Sequence, residues 1–102
     1  MLKKFALLLL TACTPFLPLA AQQTAVYTEA HEAYKSGVAL FEQGVFAKAQ
    51  QEFGRSMALL QPINEPDAEL LRAKAELNFA RCAVRLGVPD GEKLILDFVR
   101  KY

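Results

Sequence analysis

GVALFEQGVFAKAQQEF, residues 37–53, is the stretch whose reading decides the fold. Two glycines stand seven residues apart, and each leads into apolar residues at helical spacing. Upstream, Val26, Ala30 and Ala33 continue the pattern into Gly37, Leu40 and Phe41. Steps of three and four residues put these on one face of a helix, predicted over 26–43. Thr24 or Thr28 is suited to cap its start. Gly44 can take a positive φ and end it. Phe46, Ala49, Phe53, Met57 and Leu60 repeat the spacing, which predicts a second helix over 45–60. So short a link forces the two helices to turn back on each other. Gly37 then lies inside a helix, where glycine costs about 1 kcal/mol relative to alanine. Close approach of the second helix would offset that cost. Ala49 and Ser56 are the small residues expected opposite, with Phe46 and Phe53 filling the space around them.

Working toward the C-terminus, residues 61–67 read as a loop. Asn64 is a candidate cap, Pro66 suits a first helical turn, and Asp67 and Glu69 favour a helix N-terminus. The third helix runs to about Leu86, with Leu70, Ala73, Leu77, Ala80 and Val84 as its apolar line. Gly87 ends it, and Pro89 with Asp90 opens a fourth that carries Leu94, Ile95, Phe98, Val99 and Tyr102. No stretch offers strand alternation. The expected fold class is all-α: two consecutive antiparallel helical hairpins, about 26–60 and 66–102, within a region spanning 22–102.

Working toward the N-terminus, Lys3 and Lys4 precede an apolar run to Ala21, interrupted by Thr11, Cys13, Thr14, Pro15 and Pro18. A basic start, a short apolar core and small residues before a polar switch describe a secretory signal peptide, 1–21. The alternative, a membrane-spanning helix, is opposed by the prolines and by a run shorter than the roughly 20 residues a span needs. Two processing sites are open. Cleavage after Ala21 follows Leu19-Ala20-Ala21, whereas Leu10-Thr11-Ala12-Cys13 resembles a lipobox with Cys13 as the acylated residue. The apolar residues that continue past Cys13 favour the first.

The whole chain has 102 residues, enough for one small domain. Cleavage after Ala21 removes two lysines, leaving ten basic residues against eleven acidic ones. No charge block remains to suit nucleic acid or an anionic membrane surface. Cys82 is then the one cysteine left, so no internal disulfide is expected, and its apolar helical setting reads as a small buried residue. His31 is the single histidine, and its neighbours Glu29 and Glu32 do not form a dyad with it. No metal-ligand spacing, phosphate loop or nucleophile elbow is present, so neither an enzyme nor a cofactor is expected. Glu69, Arg72 and Glu76 read as an ion-paired helix face.

The quoted stretch resembles the tetratricopeptide repeat (TPR). Gly37 stands at that family's small position on the first helix, with a large apolar residue, Leu40, three further on. Gly44 marks the turn, Phe46 opens the second helix, and Ala49, Phe53 and Ser56 follow as small, aromatic and small. Pro62 closes the unit one residue late; Ala33 and Ser36 depart from the family's aromatic and leucine. A divergent second repeat is matched by Ala80, Gly87, Leu96 and Val99, at the places of Gly37, Gly44, Phe53 and Ser56. Pro89 and Glu92 replace the turn aromatic and the small residue.

The chain as a whole looks like the start of longer exported TPR proteins of Bacteroidetes. The resemblance implies an interaction scaffold in the periplasm or at the outer membrane of a Gram-negative bacterium. It also implies that this chain is the N-terminal piece of a longer repeat array, because solenoids usually need about three repeats. The implied partner is a protein or peptide, or further repeats of the same chain, with neither nucleic acid nor a small-molecule substrate. Contact with membrane is implied only through the signal peptide or a lipid on Cys13. The family's groove positions fall on His31, Tyr34, Val38, Phe41 and Glu42 of the first helix and Lys74, Leu77, Arg81 and Arg85 of the third. The three basic residues suit a carboxylate, or are a solvated face. The alternative role is a structural cap or self-association module that uses the fourth helix.

Overall fold

A computed structural model describes residues 19–102, with side chains from residue 21 onward. Cys13 lies outside the described residues, as does almost all of the signal-peptide segment. Four helices follow one another: α1 (Leu19–Glu42), α2 (Phe46–Leu60), α3 (Pro66–Arg85) and α4 (Gly91–Lys101). Among the described residues there is no strand. Each helix packs on the next, and α1 also reaches α3.

α1 starts earlier than the apolar spacing predicts. Leucine, alanine and glutamine in its first turns are good helix formers, and no breaker intervenes. The expected threonine caps are therefore interior. The Thr28 hydroxyl donates back to the Thr24 carbonyl at 2.9 Å, a bond one helical turn long. At α3 the cap position belongs to Glu65 rather than Asn64, and Pro66 enters the first turn, where its missing N–H costs nothing.

Both glycine turns have one geometry. Gly44 and Gly87 take φ of 79° and 71°. The N–H of Gly44 donates to the Phe41 carbonyl at 3.0 Å and that of Val45 to Leu40 at 2.9 Å. Gly87 repeats the pattern onto Val84 and Val88 onto Ala83, each at 3.1 Å. This is the Schellman closure, in which a left-handed residue turns two N–H groups onto carbonyls the helix end leaves free.

α2 returns along α1. Phe41 meets Phe46 edge-on at 5.0 Å beside the turn, the Phe53 ring lies on Gly37, and Ser56 reaches Ala30 near the far end. What lies nearest Gly37 is the Phe53 ring itself. A methyl group at residue 37 would come within 2.8 Å of that ring. Phe53 is the largest fully buried side chain, packed with Ala49 and Cys82 and flanked by Tyr34, Val38, Leu40, Phe41 and Phe79. Ser56 is fully buried too, and its hydroxyl donates to the Ala30 carbonyl at 2.8 Å, so the small residue also ties two helices. A second cluster gathers Ala30, Leu60, Ala68 and Leu71 around Ile63. Ile63 lies in the segment read as loop, yet it is 4% exposed and anchors that loop to the core.

α3 buries the expected line only in part. Ala80 is buried and Ala73 and Leu77 are half-buried, but Leu70 and Val84 are 57% and 45% exposed, and Ala68, Leu71, Ala75 and Cys82 are buried instead. Alanine is apolar enough to sit on any face, so spacing alone left the line ambiguous. The small side chains win because they let α2 come close. Nor do Glu69, Arg72 and Glu76 pair with one another. Arg72 donates to the Leu60 carbonyl at the end of α2, at 3.1 Å. The Glu76 carboxylate accepts from Lys101 at 3.3 Å and from the Tyr102 hydroxyl at 3.2 Å, fastening the end of α4 to α3.

α4 sits about one residue out of the register the first helix pair would set. Gly91 is buried, and a methyl there would meet backbone atoms of Ala83 and Val84 at 3.0–3.1 Å. Ile95 and Phe98 are half-buried along the same side, while Leu96 and Val99 are 56% and 65% exposed. Both helices open on a bond four residues long, Ala49 to Val45 and Leu94 to Asp90, but α4 is preceded by an extra turn in which Gly91 donates to Val88 at 2.9 Å. α4 thus begins four residues past its turn glycine where α2 begins two past Gly44, and Gly91 takes the close-approach position that Glu92 would otherwise hold. Leu96, expected to pack like Phe53, is turned to solvent.

Candidate functional site

The residues carried over as groove positions divide into those the fold brings together and those it leaves apart. Tyr34 is half-buried, with its ring 5.7 Å from that of Phe53. Its hydroxyl accepts from the Asn78 amide of α3 at 3.4 Å. Two turns along α1, the Phe41 ring lies under the Arg81 guanidinium, 4.8 Å from its centroid. Arg81 donates in turn to the Asn78 side-chain oxygen at 3.0 Å. Tyr34, Asn78, Arg81 and Phe41 thus form one connected joint between α1 and α3. Arg85, one turn beyond Arg81, stacks at 5.9 Å over Phe46 of α2. Val38 is half-buried against the Phe53 cluster and supports the joint from below.

The other positions stay outside it. His31 is exposed and stacks on Tyr27 at 6.4 Å. Glu42 and Lys74 are exposed, and Leu77 is half-buried. Lys74 meets the joint only through its backbone carbonyl, which accepts from Asn78 at 2.9 Å. Asn78 is the residue the sequence reading missed. It stands four residues after Lys74 and three before Arg81, the spacings at which side chains on a helix meet. An amide carries both donors and an acceptor, so at that point it can tie a hydroxyl, a carbonyl and a guanidinium at once.

The two arginines make this face chemically distinctive. A guanidinium over an aromatic face is held by the ring's negative quadrupole, and its planar edge keeps donors for a carboxylate or carbonyl. Arg81 commits one donor nitrogen to Asn78, out of five N–H groups. Beneath the face Cys82 is fully buried. Burial pushes its thiol above the ordinary range, and the nearby Arg81 charge offsets part of that rise. A neutral buried thiol is a packing element rather than a nucleophile.

Elsewhere, two shallow depressions of about 200 and 220 Å³ flank the start of α1 beside Ile63. Both are smaller than the roughly 300 Å³ at which small-molecule sites begin. Among the described residues, no three His, Cys, Asp or Glu side chains gather as metal ligands. No described helix is long and apolar enough to cross a membrane. No family model, curated protein or solved structure matches this chain.

Proposed function

We propose that this chain is a non-enzymatic protein-interaction scaffold of the tetratricopeptide type, exported to the cell envelope. Its four helices act as two hairpins, and the shared face of α1 and α3 takes an acidic peptide segment or a free chain end. The observation that carries this reading is the Tyr34–Asn78–Arg81–Phe41 joint, which sets a stacked arginine among aromatic side chains on a surface made by two helices. The twin Schellman turns and the reversed order of contacts along α1 and α2 support the hairpins. Export rests on the basic and apolar sequence of residues 1–21. The mass of the mature N-terminus tests it: Gln22 signifies simple cleavage, and an acylated Cys13 signifies a lipid anchor. A protein that keeps Met1 ends the export reading.

Panning a displayed random-peptide library on the full chain tests the binding face. Peptides rich in Asp and Glu, or presenting a free carboxyl terminus, are the expected selection. Reversing charge at Lys74, Arg81 and Arg85 together is expected to weaken them roughly tenfold or more, the equivalent of one charge-assisted contact. A selection without acidic bias, or one indifferent to the triple reversal, overturns the proposal.

A further inference from the structure

We infer that α4 pairs with α4 of a second copy of this chain, antiparallel, about a two-fold axis through Leu96. The surface involved shares no residue with the α1–α3 face, so this pairing stands or falls apart from peptide binding.

The docking of α4 on α3 defines what is left over. Gly91, Ile95 and Phe98 turn toward α3, and Tyr102 ends on Glu76. The adjacent side presents Glu92, Leu96 and Arg100, four residues apart, which form one continuous stripe on a helix. All three are exposed, Leu96 by 56%, and Val99 beside them by 65%. Neither Glu92 nor Arg100 belongs to an ion pair among the described residues, whereas Lys101 is spent on Glu76.

That stripe is complementary to itself when reversed. Acid, leucine, base in one direction lies over base, leucine, acid in the other. Antiparallel pairing centred on Leu96 brings Leu96 onto the second copy's Leu96. It sets Glu92 opposite the second copy's Arg100, and Arg100 opposite its Glu92. Val99 falls opposite the second copy's Lys93, whose aliphatic stem can lie over it with the ammonium in water. Each contact off the axis is thus made twice, and Leu96 meets its own copy on the axis, as a two-fold interface requires. Parallel pairing would instead place Glu92 on Glu92 and Arg100 on Arg100. The sequence therefore selects one orientation by charge, and the apolar pair at the centre supplies the drive for association. A patch this short buries less than the area of a standard stable interface, so the dimer is weak and concentration-dependent.

Sedimentation equilibrium of the full chain, from about 10 µM to about 1 mM, spans the affinities expected of so small an interface. A reversible monomer–dimer equilibrium is expected. Leu96→Glu should raise the dissociation constant by about tenfold or more. Glu92→Arg alone and Arg100→Glu alone should each leave monomer, because each sets like charges opposite one another. Mixing those two single variants should restore dimer, since every pair across the axis is then opposite in sign. The double variant Glu92→Arg/Arg100→Glu should also dimerise by itself. Helical circular dichroism of each variant verifies that the helices persist, and the charge variants lie wholly at the surface. A monomer throughout the range overturns the inference. So does association indifferent to Leu96→Glu, or a mixture of the two single variants that stays monomeric.

Discussion

Gly37→Ala is the substitution on which the packing argument can be tried most severely, because two effects of known sign oppose each other there. Replacing a glycine inside a helix with alanine returns about 1 kcal/mol of helix propensity. The added methyl, however, would stand 2.8 Å from Cε1 of Phe53, 2.9 Å from Cδ1 and 3.0 Å from Cζ. Real carbon atoms do not approach so closely, so something must move. The Phe53 ring is fully buried, with Tyr34 on one side and Ala49 and Cys82 in the same cluster. Overpacking of this kind typically costs about 1–3 kcal/mol. The net expectation is a loss of about 1 kcal/mol, which lowers the melting temperature of a domain this size by about 4–8 °C.

Gly54→Ala supplies the contrast. It also lies inside a helix, but its methyl would meet only the edge of half-buried Phe79, at 3.4 Å. Propensity should win there, for a gain of about 0.5–1 kcal/mol. Urea titration of both variants by far-ultraviolet circular dichroism is the assay, and the midpoints should move in opposite directions. Phe53→Leu combined with Gly37→Ala should cost less than the sum of the two singles, because the ring and the methyl compete for one space. A Gly37→Ala protein stabilised as much as Gly54→Ala would refute the interlock and the helix pairing built upon it.

Three further outcomes follow from particular contacts. Ser56→Ala removes the buried hydroxyl bond to Ala30 and should cost about 1 kcal/mol in the same titration, with Ser56→Thr or Ser56→Val costing more because the site is full. Gly91→Ala drives a methyl into backbone that cannot yield, so hydrogen exchange should lose its protection over 92–101 and keep it over 26–60. Cys82 should react with a disulfide reagent only as the protein unfolds. Its thiol is raised by burial, so stability on its account is full below the ordinary thiol range near 8.5 and falls as pH climbs through and above it. Comparison with Cys82→Ala isolates that slope, and an equal slope in both proteins counts against a buried thiol.

Four helices and both glycine turns were legible in the sequence, and the reason is local. Whether Gly44 or Gly87 can take a positive φ depends on that residue alone, and the apolar spacing of α1 and α2 repeats over a few turns. Much of the joint between α1 and α3 could be named as residue types but not assembled. Tyr34 and Phe41 were candidates on one helix and Arg81 on another, 40 to 47 residues away along the chain. Asn78, which links them, carries no signal of its own until the two helices are side by side.

By itself, the sequence determined that this protein is helical, where its chain reverses, and that Gly37 requires a close neighbour. The tertiary structure decided which neighbour comes nearest, the fully buried Phe53 ring. On α3 it buried Ala68, Leu71, Ala75 and Cys82 beside the expected Ala80 and left Leu70 and Val84 outside, because close approach of α2 favours mostly small residues where spacing alone favours none. It also set the register of α4, where an extra turn closed by the Gly91-to-Val88 hydrogen bond precedes the helix, Gly91 takes the buried position and Leu96 is left facing outward. Periodicity is a property of one helix, but which face is buried depends on what a second helix can fit against.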